Sequence, residues 1–555
     1  MRTFLKAQSP VVKMHLNVLI MALLVTFTAS GTGMGESASG EAPAKNLSPS
    51  AEQAQLVRPP TPGELERLKQ LNETARVAVQ KSPIRSRTVV GIHHAMVDPK
   101  IVGTVITSNS LLSVPRVGFE LSAKTPPVTI VTDGLTFDQT GITTWRGHVA
   151  GDPGSRVLIN VDRQTLAIYG EIETRGIVYE VRPSSNGNDV VAIFAVDPSG
   201  FPREHGSLNR LPTVDKSTTA NLQAPPGGNA PVIDAMILYT PTALAQDSAG
   251  IGAQVCLAIG QLQESFINSG VQATVRLVHH GMISFTEASD RNIETNLDSL
   301  RARGNTAGDQ IANLRNTHGA DVVSLWVSDA TDDYCGFSPL LYPPASGLAN
   351  SAFSVVVRSC ATSNKSFAHE VGHLLGARHD RFEEVARTSP DANFGYVKTY
   401  DNTGVNAGKD WMTIMAYQRA DCPLKDVLDV NGDPVIVNGV KEQRHSCNRR
   451  LNWSNPLVLD SVSGDPMGRP VGFGTKDCTD KTQQPPIDCD GPADNVSIFN
   501  PPVGTVGPAN SAAIVSGFRP LGFAGILGNL SCRTNAPPDT TDTTPPPAPT
   551  NLHIQ

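Results

Sequence analysis

The sequence predicts an α/β fold of the α+β kind, with a twisted mixed sheet, preceded by a β-rich segment. From Val232 onward, apolar runs that suit buried strands alternate with segments of helical periodicity. Upstream, residues 156–181 alternate apolar and polar side chains, with the period of two that is typical of strands. The chain has 555 residues, of which 39% are hydrophobic and 17% charged, so it is long enough for several domains with their own cores.

The N-terminus is typical of a secretory signal, which we assign to residues 1–30. Arg2, Lys6 and Lys13 precede an apolar run over 16–29, and the small residues Ser30 and Gly31 come after it. The run is shorter than the roughly 20 residues that a membrane span needs. We therefore expect a secreted protein with no stable membrane insertion after signal removal. The net charge of −7 argues against a nucleic-acid partner.

Residues 31–225 are predicted as an N-terminal segment distinct from the α/β part of the chain. Its start, rich in Ala, Ser, Glu and Pro, is typical of disorder, and a helix is predicted over 61–81. It is β-rich from about residue 89, with hairpin turns at 162–164 and 174–176. The loop at 217–230 has the composition of a linker that is open to cleavage.

The α/β part begins after this linker. Strands are predicted at 232–239, 273–278, 320–327 and 353–358, helices at 251–267 and 309–317, and an edge strand at 334–341. A last helix, over 365–375, carries the chemically most informative part of the chain.

Residues 369–380 contain three histidines, a glutamate and a glycine at a spacing that is typical of a metal site. His369 and His373 are four residues apart, so on a helix they lie on one face. Glu370 can reach a water on a metal without binding the metal itself. Gly376 tolerates the positive φ with which the helix ends, so that His379 can return as a third ligand. Three neutral imidazoles leave a fourth tetrahedral position open, as in a catalytic zinc site.

Three motifs in order resemble the reprolysin-like metzincin metallopeptidases. They are the HExxHxxGxxH motif, the turn Thr413–Tyr417 around Met415, and the segment from Cys447 to Pro456. A core helix with satisfied histidines and a buried packing methionine would account for single motifs, but not for all three in order. The resemblance implies a metzincin catalytic domain, which we place at 226–460, a pro-segment before it, and a cleft between the edge strand and the zinc helix. It also implies that Met415 is a hydrophobic floor and Asp380 a structural hydrogen-bonding residue.

Among these families the chain is similar to bacterial secreted peptidyl-Asp metalloendopeptidases in the pro-segment, the zinc motif and the methionine turn. A preference for acidic side chains would need a cation in the primed pocket, for which Arg419 and Lys425 are candidates. An endopeptidase with an apolar primed pocket is the alternative.

The eight cysteines all lie at or after Cys256, and an exported chain is expected to pair them. Eight cysteines allow 105 pairings, so connectivity cannot be deduced from sequence. The pairs we favour are Cys335 with Cys360, Cys422 with Cys447, and Cys478 with Cys489. Because residues 1–255 contain no cysteine, the pro-segment cannot block the metal with a cysteine thiolate. Glu204 or His205 is a candidate transient metal ligand in its place.

The remaining segments carry little chemistry. Asp429, Asn431 and Asp433 have the first spacings of a calcium loop, but Pro434 replaces its glycine, so we favour a hairpin and find Ca²⁺ unsupported. Residues 461–536 form a Gly- and Pro-rich extension, and 537–555 a Pro/Thr linker or tail.

The function predicted from sequence is a secreted, zinc-dependent endopeptidase that is made as a precursor. One Zn²⁺ held by His369, His373 and His379 activates a water, and Glu370 is the general base that acts on it. Its partners are protein or peptide substrates, and we expect a monomer. The alternative is a catalytically inactive, metalloprotease-like binding or adhesion protein, which would be expected to have lost a residue of the zinc motif. A zinc hydrolase of non-peptide substrates is the remaining possibility.

Overall fold

The fold is described from a computed structural model, and residues 52–555 group into one compact unit. The structure describes residues 55–107, 116–122, 126–137, 142–163, 165–184, 187–202, 231–246, 250–330, 334–342, 350–381, 383, 392–400, 409–418, 422–469, 476–477 and 505–506. We call residues 55–202 the N-terminal region and residues 231–469 the central region. The predicted signal, Glu204, His205, the linker at 217–230, Arg419, Cys478, Cys489 and the tail at 537–555 lie outside the described residues.

The N-terminal region consists of three helices and nine strands. In order these are β1 (Val57–Arg58), α1 (Pro62–Gln80), α2 (Pro83–Thr88), β2 (Val89–Val97), α3 (Pro99–Thr107), β3 (Arg116–Phe119), β4 (Val128–Phe137), β5 (Ile142–Val149), β6 (Arg156–Asp162), β7 (Ile168–Thr174), β8 (Ile177–Ser184) and β9 (Gly187–Val196). Helix α1 starts where the sequence predicts, because Thr61 and Glu64 form a reciprocal capping box.

All nine strands form one sheet, in the order β1-β2-β9-β8-β7-β6-β5-β4-β3. Neighbouring strands are antiparallel throughout. One set of alternating side chains, including Trp145, Ile159 and Ile172, packs into a shared apolar core. The β7–β8 turn is made by Arg175 and Gly176, both with positive φ, close to the predicted turn at 174–176.

The central region begins with the predicted alternation of strands and helices. Its elements are β10 (Val232–Tyr239), α4 (Pro241–Ala245), α5 (Ile251–Asn268), β11 (Thr274–Met282), α6 (Ile293–Arg301), α7 (Thr306–His318), β12 (Val322–Val327), β13 (Gly336–Phe337), β14 (Phe353–Val357) and α8 (Ser366–Leu374). Three elements differ from the sequence prediction. Helices α4 and α6 were not predicted, and the edge strand is two residues long rather than the eight predicted.

Five of these strands form a mixed sheet in the order β11-β10-β12-β14-β13. Strands β10, β11, β12 and β14 pair in parallel, whereas β13 is antiparallel to β14 and lies at the edge, as predicted. Strand β12 is buried at every position, which explains its continuous apolar sequence. Helices α5 and α8 pack in the core on one face of the sheet, and α6 packs in the core on the other.

Short strands complete the described chain: β15 (Arg378–Asp380), β16 (Phe394–Gly395), β17 (Val397–Lys398), β18 (Trp411–Met412), β19 (Leu424–Asp426), β20 (Ile436–Val437), β21 (Val440–Lys441), β22 (Gln443–His445), β23 (Asn448–Arg449), β24 (Asn455–Leu459), β25 (Pro466–Met467), β26 (Lys476–Asp477) and β27 (Thr505–Val506). Disulfides join Cys335 to Cys360 and Cys422 to Cys447, as predicted. Among the described helices, none is long and apolar enough to cross a membrane.

The segment with calcium-loop spacing forms the predicted hairpin. Strands β20 and β21 pair through a turn at Asn438 and Gly439, both of which have positive φ. The carboxylate of Asp429 accepts the backbone N–H groups of Asn431 (2.8 Å) and Asp433 (3.0 Å). Asp429 therefore stabilises its own turn.

Candidate metal centre

Helix α8 positions two of the predicted metal ligands. His369 and His373 lie one turn apart on it, and both are fully buried. The helix ends at Leu374, and Gly376 lies just beyond it with a φ of 92°, a conformation that glycine adopts without strain. The chain then turns back into β15, which brings His379 beside the helix. The local sequence thus places all three histidines together, as predicted.

The three imidazoles converge through their Nε2 atoms. The Nε2 atom of His379 lies 2.9 Å from that of His373 and 3.1 Å from that of His369. Among the described residues these three histidines form the one group of His, Cys, Asp or Glu side chains close enough together to hold a metal ion. Three nitrogen ligands that leave the fourth tetrahedral position open are the donor set of a catalytic zinc site.

Hydrogen bonds made by the Nδ1 atoms orient two of these rings. His369 Nδ1 lies 2.9 Å from the carbonyl oxygen of Ile414, and His373 Nδ1 lies 2.8 Å from that of Ala377. A carbonyl can only accept, so each Nδ1 donates its proton and each Nε2 of a neutral ring keeps a lone pair. Burial and the neighbouring His369 hold the pKa of His373 well below its usual value, so this ring is neutral. Lone pairs that converge at these distances repel one another unless a cation lies between them, and the residues therefore fit Zn²⁺.

Glu370 lies against the edge strand. It is fully buried, and its Oε2 accepts a hydrogen bond of 2.6 Å from the Ser338 hydroxyl. A Cβ atom at Gly336 would lie 2.5 Å from Glu370 Oε1 and 2.8 Å from Cγ. Only glycine at position 336 therefore lets β13 approach the carboxylate this closely. The sequence pattern assigned no role to Ser338 or Gly336.

The methionine turn packs beneath α8. Met415 is fully buried, and its Sδ would lie 2.5 Å from a Cβ at Gly372, the residue before His373. The Trp453 ring would approach the same Cβ to 2.5 Å, and Trp453 Nε1 donates to Ser265 Oγ at 2.8 Å. Met415 thus packs against the helix that carries His369 and His373, and its role as a hydrophobic floor stays a prediction.

Asp380 and Tyr417 connect the third histidine to the methionine turn. The Tyr417 backbone N–H donates to Asp380 Oδ2 at 3.1 Å, so Asp380 has the structural hydrogen-bonding role expected of it. The Tyr417 phenol oxygen lies 2.8 Å from His379 Nε2, the atom that faces the other two imidazoles. Sequence reasoning missed Tyr417, although it stands two residues after Met415 in the methionine turn.

Of the two cations predicted near the methionine turn, Lys425 lies within the described residues and Arg419 does not. Lys425 Nζ donates to Asn448 Oδ1 at 3.2 Å and lies beside the Gly176 turn of the N-terminal region. Arg449 lies next to the turn itself: its guanidinium donates to the Ala416 carbonyl at 3.0 Å and to the Asn364 carbonyl at 2.8 Å. It lines a cavity of about 180 Å³ together with Tyr417, Gln418, Ser363 and the segment Pro198–Pro202.

Comparisons with known proteins agree with this centre. Residues 230–426 match the model of Metallo-peptidase family M12. The chain is 32% identical over 326 residues to a peptidyl-Asp metalloendopeptidase of Stenotrophomonas maltophilia strain R551-3, covering 57% of this chain and 66% of the relative. It is 30% identical over 344 residues to a peptidyl-Asp metalloendopeptidase of Xanthomonas campestris pv. campestris, covering 59% of this chain and 71% of the relative.

Among solved structures, the chain is similar to metalloproteinase-II from Bacteroides fragilis, at 11% identity and a TM-score of 0.28, over 48% of this chain and 81% of that chain. A TM-score of this size supports no argument about the fold. The family assignment depends on the sequence relatives and on the histidine geometry. Taken together, these place the chain among the reprolysin-like metzincins of Metallo-peptidase family M12, and it belongs to that family.

Proposed function

We propose that the protein is a secreted, zinc-dependent endopeptidase that is made as a precursor. The observation that carries this proposal is the convergence of three histidines, in which His379 Nε2 lies 2.9 Å from His373 Nε2 and 3.1 Å from His369 Nε2, beside the buried Glu370. Zinc bound by His369, His373 and His379 would polarise the scissile carbonyl and lower the pKa of its bound water toward about 7.

Glu370 is the general base of this proposal. Its carboxylate accepts a proton from the attacking water and then delivers it to the leaving amine. The hydrogen bond from Ser338 and the close backbone of Gly336 hold the carboxylate in one position. A fixed base needs no reorganisation at the moment of reaction, which is a large part of catalytic efficiency.

Tyr417 supplies a second catalytic contact. Its phenol oxygen lies beside His379 Nε2, and the phenol is buried with the rest of the side chain. From there the O–H group can donate to the substrate carbonyl oxygen as negative charge develops on it. A hydrogen-bond donor preorganised for that charge acts in a site shielded from water, where it is worth far more than in solution.

The precursor and secretion parts of the proposal have separate support. The charged and apolar pattern of residues 1–30 favours export, and the disulfides Cys335–Cys360 and Cys422–Cys447 suit an oxidising compartment. The N-terminal region contacts residues that directly precede α8, and Pro198–Pro202 line the cavity beside Tyr417. A segment held at these positions would restrict access to the primed side of the cleft.

The most specific part of the proposal is a preference for cleaving peptide bonds beside acidic residues. The matched relatives are named peptidyl-Asp metalloendopeptidases, and such a preference needs a cation near the methionine turn. Arg449 supports it, because its guanidinium borders a cavity that also borders Tyr417. Arg419 and Lys425 stay predictions for the same role. An apolar pocket remains the alternative.

Replacing Arg449 by Gln is expected to lower cleavage beside Asp by about 10- to 100-fold relative to cleavage beside a neutral residue, since a hydrogen bond to a charged group contributes about 1.5–3 kcal/mol. The measurement is kcat/KM for a pair of peptides that differ only at that residue. Arg444→Gln, at a half-buried position in strand β22, is the matched control. An unchanged Asp-to-neutral ratio with casein cleavage intact would exclude Arg449 as the determinant.

A chelator experiment tests the proposed function as a whole. The purified protein, freed of its N-terminal region by processing, is incubated with casein with and without a zinc chelator. We expect cleavage that the chelator abolishes and added Zn²⁺ restores, because the histidines alone cannot activate water. No cleavage by a zinc-loaded, folded protein would favour the inactive binding protein instead. Mass spectrometry of the fragments then gives the cleavage rule.

A further inference from the structure

The outward face of strands β6–β8 is charged, yet it is buried. On β7 and β8, Glu171 is fully buried and Glu180 is 4% exposed. These two residues are direct partners in the antiparallel pair, and Glu173 lies two positions further along β7 on the same face. Carboxylates that face each other across a strand pair destabilise a sheet unless other groups neutralise them. We call Glu171, Glu173 and Glu180 the glutamate patch.

Two arginines within the sheet neutralise part of the patch. Arg156 pairs with both Glu171 and Glu173, and Arg182 pairs with Glu180. The rest of the neutralisation comes from the central region. Burial alone would raise the pKa of Glu173, but the charges of Lys365 and Arg156 outweigh it and hold that pKa below its usual value.

Each glutamate of the patch has a partner in the central region. Glu173 lies 3.3 Å from Lys365 Nζ, Glu171 accepts from Gln261 Nε2 at 2.8 Å, and Glu180 accepts from the Ser363 hydroxyl. Apolar contacts of Leu158 and Tyr169 with Leu257 of α5 lie alongside. The patch is therefore complementary to one surface of the central region in its charged and polar groups.

Lys365 connects this surface to α8, the helix that carries His369 and His373. It is the residue before α8, it has a φ of 62°, and it is 1% exposed. A buried ammonium group is costly unless a carboxylate faces it, and Glu173 of the N-terminal region supplies that carboxylate. Without the N-terminal region, Lys365 at the start of α8 would lose this carboxylate partner.

We propose that the β6–β8 face is a docking surface that keeps the N-terminal region bound to the central region after the chain is cut between residues 203 and 230, and that the glutamate patch supplies most of the affinity. The proposal depends on the precursor organisation proposed above. The peptidase would then stay inactive after the linker is cut, and it would become active only when the N-terminal region dissociates.

The test uses the full chain with a site for a sequence-specific protease inserted between 217 and 230, in a Glu370→Gln background that prevents self-digestion. After cutting, we expect the two parts to co-elute from a gel-filtration column at micromolar concentration. Co-elution is detected by mass and needs no turnover, so the docking can fail or succeed independently of the peptidase activity. Separation of two folded parts at that concentration would overturn the proposal.

Glu173→Gln in the same chain is expected to weaken the complex by about 100-fold or more, because removing one partner of a buried pair leaves the other charge unpaired. Asp189→Asn is the matched control, since Asp189 pairs with Arg67 on the exposed surface of the N-terminal region. Adding Lys365→Gln to Glu173→Gln should recover part of the lost affinity. Binding by Glu173→Gln within threefold of the control would contradict the role of the patch.

A second variant covers the case in which Glu173→Gln does not fold. Arg146 and Glu264 form a pair of 3.1 Å across the same interface, at its more exposed edge beside a cavity of about 650 Å³. Glu264→Gln is expected to weaken the complex several-fold without disturbing the core. An unchanged affinity for this variant would count against a docking surface held by charge.

Discussion

Replacing Glu370 by Gln is expected to lower kcat by about 10²- to 10⁴-fold while the metal content stays at one zinc per chain. Gln has the size of Glu and can still accept the Ser338 hydrogen bond, but an amide cannot take up the proton of the attacking water. We expect the metal to be retained because the substitution leaves in place the three histidine nitrogens that are proposed to bind it. Turnover of a fluorogenic peptide and elemental analysis of the same sample give the two measurements.

The control for this experiment is Glu442→Gln, which removes a partly exposed carboxylate that pairs with Arg444. It should leave kcat unchanged. Gly336→Ala is an informative third variant, because a Cβ there would lie 2.5 Å from Glu370 Oε1 and would displace the base without removing it. We expect a smaller loss for this variant than for Glu370→Gln. Near-normal turnover by Glu370→Gln would refute the mechanism.

The three histidines could be predicted from the sequence because their geometry is local. Two lie one helical turn apart, and a single glycine with positive φ returns the third within eleven residues of the first. The methionine turn was predicted from the family resemblance, and Met415 packs against Gly372 as expected of a floor. Motif spacing and backbone rules were sufficient at this level.

The groups that tune the centre could not be predicted in the same way. Ser338 and Gly336 reach Glu370 from more than thirty residues upstream, through a two-residue edge strand that periodicity does not detect. Tyr417 could have been considered, since it belongs to the methionine turn. However, no local feature of the sequence predicts that its phenol lies against His379. Long-range packing decides these contacts, and a single sequence gives little signal for it.

Two further differences have physical reasons. Helix α6 is short, but Asn292 caps it and Ile293, Leu297 and Leu300 form its buried stripe, so the sequence did contain a signal. The alternation in β6–β8 identified the strands and their apolar face correctly. It could not tell that the charged face is also buried, because period-two patterns say nothing about what covers a polar face.

Replacing Gly372 by Ala is expected to destabilise the central region by about 1–3 kcal/mol, the usual cost of overpacking a filled core. Alanine is favoured over glycine in a helix by about 1 kcal/mol, so propensity alone predicts the opposite sign. The new Cβ would lie 2.5 Å from both Met415 Sδ and the Trp453 ring. Met415 can change rotamer, but the ring is tied to Ser265 by its 2.8 Å hydrogen bond.

Gly103→Ala provides the matched control, because Gly103 lies within helix α3 and a Cβ there has no atom within 4 Å. That variant should be neutral or slightly more stable in urea unfolding. Both variants are compared with and without chelator. Overpacking requires no metal, so the loss of stability caused by Gly372→Ala should persist in the chelated protein. A loss of stability seen only in the zinc-loaded protein would mean that the substitution acts through His369 and His373 instead. A Gly372→Ala protein as stable as the wild type in both states would contradict the contact between the methionine turn and α8, and with it the idea that Met415 supports the metal helix by direct packing.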